Sequence, residues 1–428
     1  MKNKRTLGAV ASAATLALLL TACGGSGGGE GGGGGGAAEE GLEGRGPITY
    51  VQGKDNSGVV GPTIEKWNAE HPDEQVTFKE QTDEADQQHD DLVQNFQAEN
   101  ADYDVVSVDV VWTAEFAAQG WIQPLEGELE LDTAAMIPAT VDAATYNDTL
   151  YAAPQHSDGG MLYYRTDLVD EPPTTWDEMM EMCSIAEEND IACYAGQHAQ
   201  YEGLTVNASE AINSAGGTVI DEEGNPTLDT PEAMQGLTNL VEAFESGNIP
   251  EEAITYTEEE GRIAFQEGNL LFLRNWPYVY NLATTEESST VADTLGMAPL
   301  PGADGSGASS LGGHSLAISV YSENKLTARD FLEFVTQEEQ QRFYAQQGSL
   351  APVLADLYDD EELVAELPYL PVLKASIETA VPRPVTPFYP AVSTAIQDNA
   401  YAAQQGQKSV EQALTDMAAA IEAAGAGS

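Results

Sequence analysis

The chain has 428 residues, and its 16 Lys and Arg face 71 Asp and Glu for a formal net charge of −55. A field of that sign repels phosphate, which excludes nucleic acid as a partner and disfavours any anionic ligand. Hydrophobic residues still make up 42%, so the acids belong on the surface of a chain that folds. This balance is expected of a salt-adapted protein whose carboxylates are screened by cations; the plainer alternative is an acidic extracellular protein.

Lys2, Lys4 and Arg5 precede a short apolar run over residues 7–20, which ends in Leu20-Thr21-Ala22-Cys23. This pattern predicts a bacterial signal peptide over residues 1–22 closed by a lipobox. The run is shorter than the roughly 17–25 residues a transmembrane helix needs. Cys23 is therefore expected to carry lipid on the outer face of the cell membrane. Residues 23–46 are nearly all Gly after the cysteine and form a flexible tether with a spread of about 25–30 Å. Gly24-Gly25-Ser26-Gly27-Gly28 matches a hydrolase elbow in form only, since no strand precedes it.

The length after residue 46 exceeds one compact core and suits two domains. Residues 48–51 (Ile-Thr-Tyr-Val) predict a strand, and Val76 with Phe78 another. Residues 103–111 form a β-branched run typical of a buried parallel strand. Helices are predicted where Val60, Ile64 and Trp67, and then Leu92, Val93 and Phe96, share a face. Thr175-Trp176-Asp177-Glu178 is a capping box for a helix reaching Glu188. Thr230 caps and Pro231 opens a further helix, with Met234, Leu237, Val241 and Phe244 on one side and Gly247 at its end. Alternation of the two element types predicts an α/β class with largely parallel sheets.

Cys183 and Cys193 remain once Cys23 is lipidated. In an oxidising compartment a disulfide clipping the end of a helix to the following turn is favoured. The alternative is a two-thiolate metal site with His198 as a further ligand. The five histidines, His71, His89, His156, His198 and His314, show no metal spacing, and no nucleophile elbow or phosphate loop occurs in the body. No cofactor or metal is expected. The acidic runs Glu258-Glu259-Glu260 and Asp221-Glu222-Glu223 predict solvated faces. By contrast, residues 271–280 pass from an apolar strand into Trp276-Pro277-Tyr278. That places two aromatic rings at a strand end, where open α/β sheets bind ligands. A Trp face matches the C–H face of a pyranose ring, and core packing is the alternative.

Six stretches then form an ordered set. They are residues 102–121 with Asp109, Asp158-Gly159-Gly160 running on to Leu168, Tyr201-Glu202-Gly203-Leu204, Arg274-Asn275-Trp276-Pro277-Tyr278, Leu311-Gly312-Gly313-His314-Ser315, and Arg383 through Tyr389. The set resembles the trehalose/maltose-binding lipoproteins, sugar receptors of ABC importers within extracellular solute-binding protein family 1. The resemblance implies a two-lobed periplasmic-binding-protein-like fold with a hinge of crossing segments and a ligand cleft between lobes. The expected lobes are residues 47–157 with 315–348, and 158–314 with 349–428. It implies that Asp109 and Asp158 accept hydrogen bonds from sugar hydroxyls, that Trp276 stacks on a glucose ring beside Tyr278, and that Arg383 donates to hydroxyls. It further implies close approach of the Gly312-Gly313 backbone, lining by Tyr201 and Glu202, and more weakly contacts from Asp55, Asn56 and Gln81. His314 departs from relatives that carry a second Trp there.

The function so implied is a non-enzymatic, lipid-anchored, extracytoplasmic receptor for an α-glucoside disaccharide. Its expected partners are that sugar and membrane permease subunits, with the receptor itself a monomer. Two alternatives stand beside it. One is a receptor for another sugar, or for a small cation held by cation–π contact, and a buried Arg383 argues against the cation. A secreted glycoside hydrolase would need two carboxyls about 5–5.5 or 6.5–9.5 Å apart.

Overall fold

The structure is a computed structural model that describes residues 44–221 and 224–426. The signal peptide, Cys23, the tether up to residue 43, Glu222 and Glu223 lie outside the described residues. The strands are β1 (Ile48–Gln52), β2 (Val76–Glu80), β3 (Val105–Asp109), β4 (Thr145–Tyr146), β5 (Thr149–Leu150), β6 (Ala152–Gly159), β7 (Met161–Arg165), β8 (Ala192–Ala195), β9 (Leu270–Asn275), β10 (Leu295–Pro299) and β11 (Leu311–Ile318). They build one sheet in each of two lobes, in the orders β2-β1-β3-β11-β6 and β10-β7-β9-β8, plus the small β4-β5 hairpin.

Sheet direction corrects the expectation of largely parallel pairing. β1 runs parallel to β2 and β3, and β8 parallel to β9. β11 is antiparallel to both β3 and β6, and β7 is antiparallel to β9 and β10. The cause is topological: a chain that leaves a sheet and returns from the other lobe enters without a crossover helix, so its direction is reversed. β6 passes into β7 with only Gly160 between them. The changeovers expected at 157–158 and 314–315 fall within β6 and β11, both strands of the first sheet.

Local chemistry accounts for the elements. β3 is buried through Val108, as expected for a run without polar alternation. The helix Val60–Glu70 buries Val60, Thr63, Ile64 and Trp67 against Phe331, while Ala85–Gln97 buries Leu92 and Phe96 and leaves Val93 half-buried. The helix Trp176–Glu188 has its capping box: Thr175 Oγ1 accepts from the Glu178 N–H at 3.2 Å, and Glu178 Oε2 accepts from the Thr175 N–H at 3.1 Å. In Pro231–Ser246, Thr230 Oγ1 accepts from the Ala233 N–H and Gly247 ends the helix at φ 79°. The buried stripe there centres on Ala233, Leu237 and Leu240, with Met234 and Phe244 at its edges.

Cys183 and Cys193 form a disulfide with a Cα–Cα distance of 5.1 Å, which removes the two-thiolate metal alternative. It joins the body of the helix Trp176–Glu188 to β8 rather than to a turn. The loop it closes is worth about 2–3 kcal/mol. In the second lobe the helices Glu202–Ser214, Pro231–Ser246, Tyr389–Gln404 and Val410–Ala426 share a core around Leu204, Leu237, Ile396 and Leu414. That packing brings Glu202 and the C-terminal segment to one place. No helix among the described residues is long and apolar enough to cross a membrane.

Candidate functional site: a polar cleft with one aromatic wall

The ladder register sets one wall. β11 lies between β3 and β6, so His314 pairs with Asp109 on one side and His156 on the other, and Gly312 pairs with Asp158. Side chains two apart on a strand share a face, which puts His156 and Asp158 together with Nε2 3.6 Å from Oδ2. The two imidazole rings are 5.3 Å apart. Gly313 has φ +114°, and a Cβ there would lie 2.3 Å from the His156 carbonyl oxygen, so the strand can cross this point only as glycine.

The second lobe supplies the other wall. Tyr201 and Glu202 stand at the start of Glu202–Ser214, Glu258 and Glu259 at the start of Glu258–Gln266, and Trp276 and Tyr278 just past β9. Pro277 ends the strand, and Tyr163 Oη donates to the Trp276 carbonyl at 2.8 Å, fixing the turn. Tyr201 Oη donates to Glu258 at 2.7 Å, and Tyr278 Oη to Glu259 at 2.6 Å. Together the walls enclose a cavity of about 390 Å³, within the range of a small-molecule site.

Arg383 comes from the segment before Tyr389–Gln404 and is buried between the walls. Nη2 donates to Asp109 at 3.0 Å, and Nη1 donates to Glu202. Glu202 also accepts from Tyr389 Oη and Ser393 Oγ, each at 2.5 Å. Arg383 was expected to offer its guanidinium to ligand hydroxyls. Carboxylates engage one N–H on each Nη, and among the described residues Nε has no hydrogen-bond partner. Gln155 Oε1, His156 Nδ1 and His314 Nδ1 also lack one. Buried polar atoms of this kind mark places where a polar molecule completes the hydrogen bonding.

Burial dominates the electrostatics. It pushes Asp158 well above the usual carboxylate range, with the charge of Asp109 adding to the effect and Arg274 opposing it. Burial also raises Glu202, against the pull of Arg383, and Glu258. The same cause lowers His314, and lowers His156 further. The floor thus offers neutral imidazoles and a carboxyl biased towards its protonated form, groups able both to donate and to accept. Nine Asp and Glu residues line the cleft against two cations, Lys54 and Arg383.

Asp55, Asn56, Asp109, Asp158, Tyr201, Glu202, Trp276, Tyr278, Gly313, His314 and Arg383 all line this cavity. Gln81 does not: its amide turns back to Asp91 Oδ2 at 2.7 Å. Asp55 lines the rim, yet its carboxylate accepts from Gly58 N, Val60 N and Ser57 Oγ, which fixes the turn into the first helix. Glu258-Glu259-Glu260 is a solvated face only at Glu260, which is exposed, while Glu258 and Glu259 are half-buried. The helix opens at the cleft, so its first acids meet Tyr201, Tyr278 and Arg262. His156, Gln155 and these glutamates line the cleft although no sequence motif assigns them to it. His156 was findable from its place two residues before Asp158 on one strand. No group of three or more His, Cys, Asp or Glu side chains among the described residues is arranged to hold a metal ion.

Residues 50–342 match the family model of the bacterial extracellular solute-binding proteins. A probable ABC transporter-binding protein of Deinococcus radiodurans is 35% identical over 68% of this chain and 72% of its own length. The mannitol-binding protein of Pseudomonas aeruginosa is 25% identical over 76% of this chain and 80% of its own. Among solved structures, maltose-bound T. maritima MalE3 superposes with a TM-score of 0.83 at 34% identity, covering 88% of this chain and 99% of that one. Fold and relatives are those of substrate-binding proteins of ABC transporters, not of enzymes. The chain belongs to the bacterial extracellular solute-binding proteins.

Proposed function

We propose that this protein captures an α-linked glucose disaccharide of the trehalose or maltose type and delivers it to an ABC importer, held at the outer face of the membrane by lipid on Cys23. One observation carries the reading: Trp276 stands in the same cleft as the row Asp109, His314, His156 and Asp158. An indole face suits the C–H face of a pyranose, while the row suits its hydroxyls. Maltose in the T. maritima relative supports the ligand class. A neutral ligand also fits a cleft whose acids repel anions. The receptor works as a monomer whose lobes close over the sugar.

Calorimetric titration of the purified body with maltose, trehalose, mannitol and glucose tests the reading. A disaccharide should bind in the micromolar range or tighter, stronger than the alditol, and raise the melting temperature. Trp276→Ala should weaken that binding at least tenfold while leaving the far-ultraviolet circular dichroism unchanged. Silence with every α-glucoside would defeat the assignment. Anchoring is checked separately, since Cys23→Ser should move the protein from the membrane fraction into the medium.

A further inference from the structure

Arg274 is buried in β9 with 1% exposure, and its guanidinium carbon lies 3.9 Å from the centre of the Trp276 ring. It is not a cleft-lining residue, whereas Trp276 is. One indole face is therefore covered by a cation, while the ring itself lines the cleft. The guanidinium is held from behind: Nε and Nη2 donate to the two Glu210 oxygens at 2.7 and 2.5 Å, and Nη1 donates to Gln197 Oε1 at 3.0 Å. Glu210 in turn accepts from the Ser310 N–H at 2.9 Å, and Gln197 accepts from Asn207 at 2.9 Å. Such a fork leaves the planar group few orientations.

A cation is drawn to an indole by the negative face of the ring quadrupole. Here that attraction is already used on the rear face, and a second cation on the front face would meet the field of the first through the ring. Glu210 offsets that charge at long range, whereas the guanidinium is the charge in direct contact with the ring. A neutral C–H face meets no such penalty. The point matters because acidic residues predominate over cationic ones in the cleft lining, a balance that favours small cations.

We propose that Arg274, pinned by Glu210, is a positioning residue that sets ligand class: it closes the cleft-facing side of Trp276 to cations and reserves it for neutral polyol rings. The inference rests on the reading of Trp276 as the ligand platform, but not on which sugar binds.

The test uses tetramethylammonium chloride as cation probe and maltose and trehalose as sugar probes, with tryptophan fluorescence and calorimetry at matched ionic strength. Wild-type protein should show no saturable tetramethylammonium signal. The charge-neutral pair Arg274→Met/Glu210→Gln, with an unaltered circular dichroism spectrum, should acquire one and shift the sugar-to-cation preference at least tenfold. Arg274→Lys, which keeps the charge and loses the fork, should still exclude the cation. Saturable cation binding by the wild type that Trp276→Ala abolishes would overturn the inference without any variant at Arg274. A folded double variant that still excludes the cation would also overturn it. Silence of the wild type with both sugars would count against the proposed function alone, because the cation measurements are read independently.

Discussion

Arg383 donates to Asp109 at 3.0 Å although 274 positions separate them in the chain. Asp109 closes β3 in the first lobe, and the other arm of Arg383 holds Glu202 at the start of a second-lobe helix. One guanidinium therefore ties both walls of the cleft, and these two bonds leave its Nε–H and the second N–H of each Nη for a ligand. Removing it strands two carboxylates in a buried place, a change that costs about 3–5 kcal/mol when a buried pair loses one partner. Arg383→Gln should lower the unfolding free energy by that order and abolish tight ligand binding. Adding Glu202→Gln should recover part of the stability but not the binding. Equal stability of wild type and Arg383→Gln in urea titrations would refute the assignment.

The adjacent glycines of β11 should fail in different ways. A Cβ on Gly312 would lie 2.9 Å from Trp276 Cζ3 and 3.1 Å from Asp158 Cβ, so Gly312→Ala displaces ligand-facing side chains. A Cβ on Gly313 would meet backbone at 2.3 Å in a conformation with φ +114°. Gly312→Ala is expected to weaken ligand binding at least tenfold at a stability cost near the low end of about 1–3 kcal/mol for overpacking. Gly313→Ala should instead lower the melting temperature more than any other single change in the strand. Paired melting and calorimetry on both variants decide it, and identical profiles would be evidence against the geometry.

His198 provides a pH signature away from the cleft. Its Nδ1 is 3.3 Å from Gln404 Nε2, and burial lowers its pKa from 6.5 to about 3. The folded state thus holds the imidazole neutral. The stability this contributes is complete above 6.5 and is lost as pH falls from there towards 3. One proton taken up on unfolding corresponds to a slope of roughly 1.4 kcal/mol per pH unit. The buried His156 and His314 act in the same sense, and the raised Asp158 and Glu202 in the opposite one. Comparing wild type with His198→Gln cancels those common contributions. The variant's stability curve between pH 6 and pH 4 should be flatter by about one proton's slope, and a parallel pair of curves would rule the effect out.

A net charge of −55 makes self-repulsion the largest long-range influence on the folded body. Salt that shortens the screening length should therefore raise its melting temperature steeply, and most of the gain should come well below molar concentration. Melting curves from dilute buffer to molar sodium chloride test the salt-adapted reading, which fails if the midpoint stays level. Sucrose at matched viscosity is the control for solvent effects unrelated to charge.

The readings that needed only near neighbours in sequence agree with the structure. Thr175 with Glu178, and Thr230 with Ala233, act within a few residues, so each helix carries its own start. The Trp276-Pro277-Tyr278 turn was legible for the same reason, since Pro277 has no N–H with which to continue the ladder past Asn275. Pairing of His314 with both Asp109 and His156 depends on β11 returning from the second lobe, and no local pattern encodes that. The Glu258-Glu259-Glu260 run misled because three acids in a row have the composition of a solvated face. What decides their place is where the helix begins, and Tyr201 lies 57 positions away. Gln81 shows the limit of placing a residue by its strand end: the position is near the cleft, but the amide has a closer partner in Asp91.

A single residue, Gly160, carries the chain from β6 to β7. A Cβ there would meet Arg274 Nη2 at 2.7 Å and Glu210 Oε1 at 2.8 Å, while Ser309 and Ser376 hold its own N–H and carbonyl oxygen. A connection this short has no slack. In the proposed closure the two sheets act as levers on this shared fulcrum, so a few degrees of torsion there become ångströms of travel at the rim. The grip on a cargo and its release are then set by leverage rather than by rearrangement inside either sheet.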